Sequence, residues 1–83
     1  MIDPEYYDLL TLDDKVNILY MEGDFIAGVE LDSLEISLYA LDGFFVEVFY
    51  ELPYNKIDDI RVLSDKDRLE VYLENITLEK LLK

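Results

Sequence analysis

Carboxylates are the abundant side chains in this sequence that could do chemistry. Of its 83 residues 20 are Asp or Glu, against 7 Lys or Arg, and there is no His and no Cys. Without imidazole the chain lacks the commonest general base near neutral pH and the commonest metal ligand. Without thiols it has no thiolate nucleophile, no zinc-finger ligand set and no disulfide, a composition that fits a reducing compartment. Acid–base work would then fall to paired carboxylates. Asp13 and Asp14 stand at an expected helix start, where neighbours do not face each other and negative charge complements the helix dipole. Asp58 and Asp59 read as a solvated turn. Asp65-Lys66-Asp67 opens like a calcium loop, but Glu70 stands where the loop needs Gly and Ile76 where it needs Glu, so the motif fails. Gly23, Gly28 and Gly43 fall in no phosphate-binding pattern. Asn75-Ile76-Thr77 matches a glycosylation sequon but reads better as a cap between helices. The expectation is a protein that is not an enzyme, with no catalytic residue, no cofactor and no metal.

Charge narrows the partners. Residues 1–55 hold 13 acidic residues and one basic residue, Lys15, for a net of −12. Residues 56–83 hold 7 acidic and 6 basic residues, a net of −1, which completes the total of −13. Nucleic acid and anionic membrane surfaces are recognised through Lys and Arg, so neither is an expected partner. A basic protein is electrostatically favoured, while acidity also serves solubility. "MIDPEYYD" has neither a basic nor an apolar leader region, and no apolar run approaches a membrane span, so a cytoplasmic location is expected. With 52% hydrophobic residues the chain is too apolar for disorder, and its length suits one domain over residues 1–83.

The elements that must position these residues follow from periodicity. Asp3-Pro4 predicts a short helix or turn over 4–9. Thr11 and Asp14 have capping-box spacing, and Leu12, Val16, Leu19 and Tyr20 share one helical face, predicting a helix over 12–22 that Gly23 ends in a left-handed conformation. From Asp24 the period becomes two: "FIAGVEL", "LEISLYAL" and "FFVEVFYEL" read as three strands of an antiparallel meander. "KIDDIRVL" reads as a fourth strand around 57–63 or an irregular turn. Leu69, Tyr72, Leu73 and Ile76 have helical spacing after a Ser64 cap, and Thr77 caps a last short helix, "LEKLL". The fold class is α+β: an N-terminal helix, a three- to four-stranded antiparallel meander, and C-terminal short helices packing on one sheet face.

Parity sets the expected register. A two-residue Asp42-Gly43 loop places Leu38 opposite Glu47 and Ile36 opposite Phe49, pointing glutamates into the apolar face. A three-residue Leu41-Asp42-Gly43 loop pairs Ala40 with Phe44, Leu38 with Val46, Ile36 with Val48 and Leu34 with Tyr50, so burial favours it. The first turn, Asp32-Ser33, pairs Leu31 with Leu34 and Val29 with Ile36. One face then carries Phe25, Ala27, Val29, Leu31, Leu34, Ile36, Leu38, Ala40, Phe44, Val46, Val48, Tyr50 and Leu52, covered by Leu12/Val16/Leu19 and Leu69/Leu73/Ile76.

The other face becomes the candidate interaction surface: Ile26, Glu30, Glu35, Tyr39, Leu41, Phe45, Glu47, Phe49 and Glu51, with Ser37 among them. In this register Ile26 and Phe45 lie beside Tyr39, and Phe49 beside Glu35. Three readings compete for it: residues 57–83 cover part of the face, a homodimer buries it, or a protein partner docks there. Facing glutamates would repel in a dimer that used it centrally. Tyr20, Tyr50 and Tyr72 suit core margins, and Tyr6 and Tyr7 either pack the N-terminal segment or mediate association. The expected function is a small, acidic, non-catalytic interaction or regulatory module, homodimeric or bound to a basic partner. The alternatives are an inhibitor or immunity-type protein against a basic enzyme, and a structural homo-oligomer.

Overall fold

Asp3 caps the first helix, α1 (Pro4–Asp8): its carboxylate accepts from the Tyr6 N–H at 3.3 Å, and Pro4 fills a first-turn position where no N–H is needed. Thr11 Oγ1 accepts from the Asp14 N–H at 3.2 Å and starts α2 (Leu12–Glu22). Four strands follow: β1 (Asp24–Leu31), β2 (Leu34–Leu41), β3 (Phe44–Glu51) and β4 (Lys56–Val62). They form one antiparallel sheet in sequence order, a plain meander. This computed structural model describes residues 1–64, 68–70 and 72. The expected helices over 64–76 and from Thr77 onward, with Leu73 and Ile76 and the Asp65–Asp67 and Asn75–Thr77 motifs, lie largely or wholly outside the described residues.

The second hairpin corrects the parity argument. Its loop has two residues, and the pairs are Leu41 with Phe44, Ala40 with Phe45, Leu38 with Glu47 and Ile36 with Phe49. Asp42 (φ 46°) and Gly43 (φ 87°) both take positive φ, the demand of a type I′ turn, which suits the twist of the flanking strands. The register that points Glu47 into an apolar face is therefore the one adopted, and the face supplies partners for it. Arg68 donates to both carboxylate oxygens, Nε at 3.1 Å and Nη2 at 2.9 Å, and Tyr72 Oη donates at 2.6 Å.

Consequently both faces of the sheet are packed. Leu41, Val46, Val48 and Ile60 lie under α1 and α2 with Tyr7 and Leu19, and Phe44 and Val62 join at the margin. Ala27, Val29, Ile36 and Leu38 lie on the opposite face with Tyr72, flanked by Leu34, Phe45, Phe49, Leu63 and Leu69. Phe44, Val46, Val48 and Tyr50 thus do not share a face with Leu34, Ile36, Leu38 and Ala40, and Leu69 packs on the face opposite Leu12, Val16 and Leu19. A bulge at Ile26 adds a second departure. Phe25 pairs with Tyr39 but Ala27 with Leu38, so Phe25 joins the helix-bearing face while Ala27 and Val29 join the other.

Three smaller corrections have local causes. Gly23 is extended (φ −81°) because β1 starts at the next residue, and what it supplies is room: a Cβ there would lie 2.8 Å from the Leu19 carbonyl oxygen and from Leu19 Cδ2. Asp58 and Asp59 lie within β4, and Asp59 takes the Arg61 guanidinium at 2.7 Å and the Ile60 N–H at 2.8 Å. Tyr20 is not at the core margin but 90% exposed. The first turn keeps its expected pairs, Leu31 with Leu34 and Val29 with Ile36.

The N-terminal helices are tied to the far edge strand. Lys15 is buried; its Nζ donates to the Ile60 carbonyl at 2.9 Å and lies 3.8 Å from the Asp8 carboxylate. Asp8 also accepts the Val62 N–H at 3.3 Å, and Tyr7 Oη donates to the Lys15 carbonyl at 2.8 Å. Burial raises the Tyr7 pKa above its ordinary value, since a phenolate there would lose water and its hydrogen bond. At the other end Asp42 accepts the Ile2 N–H at 2.7 Å and holds the first residues against the β2–β3 turn.

Candidate functional site

The direct passage from α2 into β1 makes an exposed corner. Gly23 donates to the Leu19 carbonyl at 2.9 Å and lets the chain reverse within one residue. Tyr20 and Met21 close α2 and Phe25 and Ile26 open β1, and they are 90%, 80%, 60% and 50% exposed. Beneath this corner lies an open apolar groove of about 170 Å³, with Val16, Leu19 and Tyr20 on one wall and Tyr39, Val48, Ile57 and Ile60 on the sheet side. The Phe25 ring meets the Tyr39 ring edge-on, with centroids 5.6 Å apart and planes at 77°. The Phe25 ring lies over Gly28, where a Cβ would make an ordinary contact with it at 3.7 Å.

Farther along the same face the sheet turns acidic, with Glu30 exposed and Glu35 partly so. Gly28 pairs with Ser37, and then Glu30 pairs directly with Glu35. Like charges directly opposed across two strands destabilise the sheet. Among the described residues neither glutamate forms an ion pair. Tyr50 stands opposite Glu35 on the next strand, its hydroxyl turned to the Asn55 side chain.

The residues expected to form one interaction surface divide between the two faces. Glu30, Glu35, Tyr39 and Leu41 lie on the helix-bearing face, and Leu41 is core there at 1% exposure. Ile26 occupies the bulge. Phe45, Glu47, Phe49 and Glu51 lie on the opposite face, where Phe45 and Phe49 pack near Leu69 and Tyr72 and Glu47 is buried. The Arg61 guanidinium lies 5.0 Å from the centroid of the Phe49 ring, a cation–π contact. Of the three competing readings of Phe45 and Phe49, cover by later residues of the same chain fits the described geometry.

Lys15 is what hides the exposed corner from a reading of periodicity. The buried positions of α2 are Lys15 and Leu19. At 100° per residue Tyr20 lies about 120° from the centre of the stripe they define. Taking Lys15 as an aliphatic stem with a hydrogen-bonded head, and so as part of the stripe, places Tyr20 outside. The Ile26 bulge has no signature in the alternation, and Phe25 has no assignable face without it.

The titrating groups with displaced pKa values are explained by packing. Burial raises the Tyr72 pKa, and the Glu47 carboxylate, which accepts the hydrogen bond of the hydroxyl and would repel a phenolate, raises it further. The hydrogen bond from Arg61 lowers the Asp59 pKa against the opposing effect of partial burial. Among the described residues no three carboxylates converge to hold a metal, and no helix is long and apolar enough to cross a membrane. The chain matches no protein-family model, no curated protein and no solved structure.

Proposed function

We propose that this chain is a non-catalytic protein-interaction module whose contact surface is the α2–β1 corner and the groove beside it. The observation that carries the reading is the exposure of Tyr20, Met21, Phe25 and Ile26, at 50% or more each, beside a groove lined by Val16, Tyr39 and Ile57. A monomer gains nothing from leaving these large apolar side chains in water, with Tyr20 on the wall of an open apolar groove and Phe25 against its Tyr39, whereas a partner that covers them gains their burial. Tyr and Phe at the centre of such a patch suit anchoring, since each presents a large area at low entropic cost. The residue inventory supports the non-catalytic part, because the chain has neither His nor Cys.

The charge distribution favours a second, narrower reading, an inhibitor or immunity-type protein bound to a basic enzyme, since residues 1–55 carry −12. The test of the general reading is a pair of measurements on the wild type and on the Tyr20→Ser/Phe25→Ser variant. Both side chains are mostly exposed, so the variant should keep its circular dichroism spectrum and lose about 1 kcal/mol of stability or less. Light scattering will report self-association. Selection from a random displayed-peptide library will report capture of another chain. The expected result is binding of one kind or the other by the wild type and its loss in the variant. Equal behaviour of the two proteins in both measurements would remove the surface from consideration.

A further inference from the structure

Resting on that reading, we infer that the occupant of the groove is a basic segment of another protein, which places an apolar anchor beside Tyr20 and Tyr39 and a Lys or Arg over the Glu30–Glu35 pair. Three observations converge on this occupant. The groove is lined almost wholly by apolar and aromatic groups, so it takes an aliphatic or aromatic side chain. On the same sheet face, the Phe25–Tyr39 pair is followed by Gly28–Ser37 and then by Glu30–Glu35. The two opposed carboxylates repel each other, and a cation set between them converts that repulsion into two attractive contacts. The surrounding chain adds to the attraction, because Lys15 is the only basic residue before Lys56 and its ammonium is turned inward to the Ile60 carbonyl.

The same geometry argues against a second copy as occupant. A two-fold dimer centred on this face would bring Glu30 and Glu35 toward their own copies and double the uncompensated charge. It would do so without a cation from β1, β2 or β3, none of which contains Lys or Arg. A basic hetero-partner meets no such objection and gains a faster encounter from the field of the acidic surface.

Spacing makes the inference specific. Tyr39 and Glu35 lie four residues apart on β2, about 13 Å at strand rise. An extended occupant would therefore carry its cation about four residues from its anchor, and a helical one about nine.

Peptides selected on the wild-type protein, and dependent on Tyr20 and Phe25, provide the test. Their composition and their affinities, measured by fluorescence anisotropy at low and high salt, decide the matter. Glu30→Lys is the informative variant, because a Lys opposite Glu35 should form a cross-strand ion pair and raise the melting temperature, so that loss of binding cannot be laid to loss of fold. The expected result is peptides with Lys or Arg at one of the two spacings from an apolar residue, weakened roughly tenfold by Glu30→Lys and by high salt. Neutral or acidic peptides that still require Tyr20 and Phe25, or basic ones indifferent to Glu30→Lys, would overturn the basic occupant while leaving the interaction surface in place. Self-association lost with Tyr20→Ser/Phe25→Ser would do the same in favour of a second copy. No selected peptide and no self-association would overturn both.

Discussion

A carboxylate set in an apolar sheet face survives only if donors meet it there, and Glu47 meets two from Arg68 and one from Tyr72. The arrangement is asymmetric. The Glu47 side chain is 5% exposed and the Arg68 side chain 46%, so only the carboxylate depends on the pairing for its solvation. Removing Arg68 by Arg68→Ala should therefore cost about 2 kcal/mol in urea denaturation, leaving Tyr72 as the donor to Glu47 among the described residues. Glu47→Met combined with Arg68→Leu should cost less than Arg68→Ala alone, because no buried charge is left behind. The tyrosines give a residue-scale prediction in pH. For Tyr7 and Tyr72 the folded pKa lies above the unfolded value of 10.0, so their stabilisation is fully present below pH 10 and declines as pH rises above it. In a spectrophotometric titration Tyr7 and Tyr72 should ionise only together with loss of the circular dichroism signal. A reversible single step for all tyrosines, with structure intact, would contradict the packing described for these two.

At the scale of the element, the first three strands and α2 are legible from period and caps, the fourth strand only as one of two alternatives, and the register is not. Alternation identifies a strand but fixes its face only when one side is plainly polar. Here β3 has Phe44, Val46, Val48 and Tyr50 on one side and Phe45 and Phe49 on the other, so both parities bury large side chains. The decision passes to the turn, whose Asp42-Gly43 pair supplies the positive φ values, and to Arg68 and Tyr72, more than twenty residues away in sequence from the Glu47 they satisfy. The two glycines at helix and hairpin ends offer contrasting tests. A Cβ on Gly43 would meet nothing within 4 Å, but φ there is +87°. Gly43→Ala should therefore cost about 1 kcal/mol by backbone strain, and Gly43→Asn, which tolerates that region, clearly less. Gly23 has an ordinary φ of −81° but no room, so Gly23→Ala should destabilise through contact with Leu19 and Gly23→Asn should be no better. Thermal melts of the four variants separate the two mechanisms.

For the whole molecule, the sheet is a partition with a hydrophobic cluster on each side, and neither face is free in the way a single-layer reading implies. Phe45 and Phe49 belong to the second cluster. The Phe45→Ser/Phe49→Ser variant should therefore lose about 3 kcal/mol or more of stability instead of serving as a surface change. Chemical denaturation would show this directly, and a variant as stable as the wild type would return the two rings to the surface. The candidate site itself is half legible in the sequence. Alternation brings Tyr39, Glu30 and Glu35 to one face, as the structure does, but periodicity consigns Tyr20 and Phe25 to burial. The missing knowledge is long-range, namely that Lys15 reaches the Ile60 carbonyl and takes a place in the buried stripe of α2.

That reach from α2 to β4 also bears on how the chain acquires its shape during synthesis. Each strand of the meander pairs with the one made just before it, so the sheet can grow in step with translation. The helices cannot settle in the same way. Asp8 waits for the Val62 amide, and Lys15 for the Ile60 carbonyl. The first elements to leave the ribosome are thus among the last to dock, and Tyr7 and Leu19 stay without their full cover until the final strand has emerged.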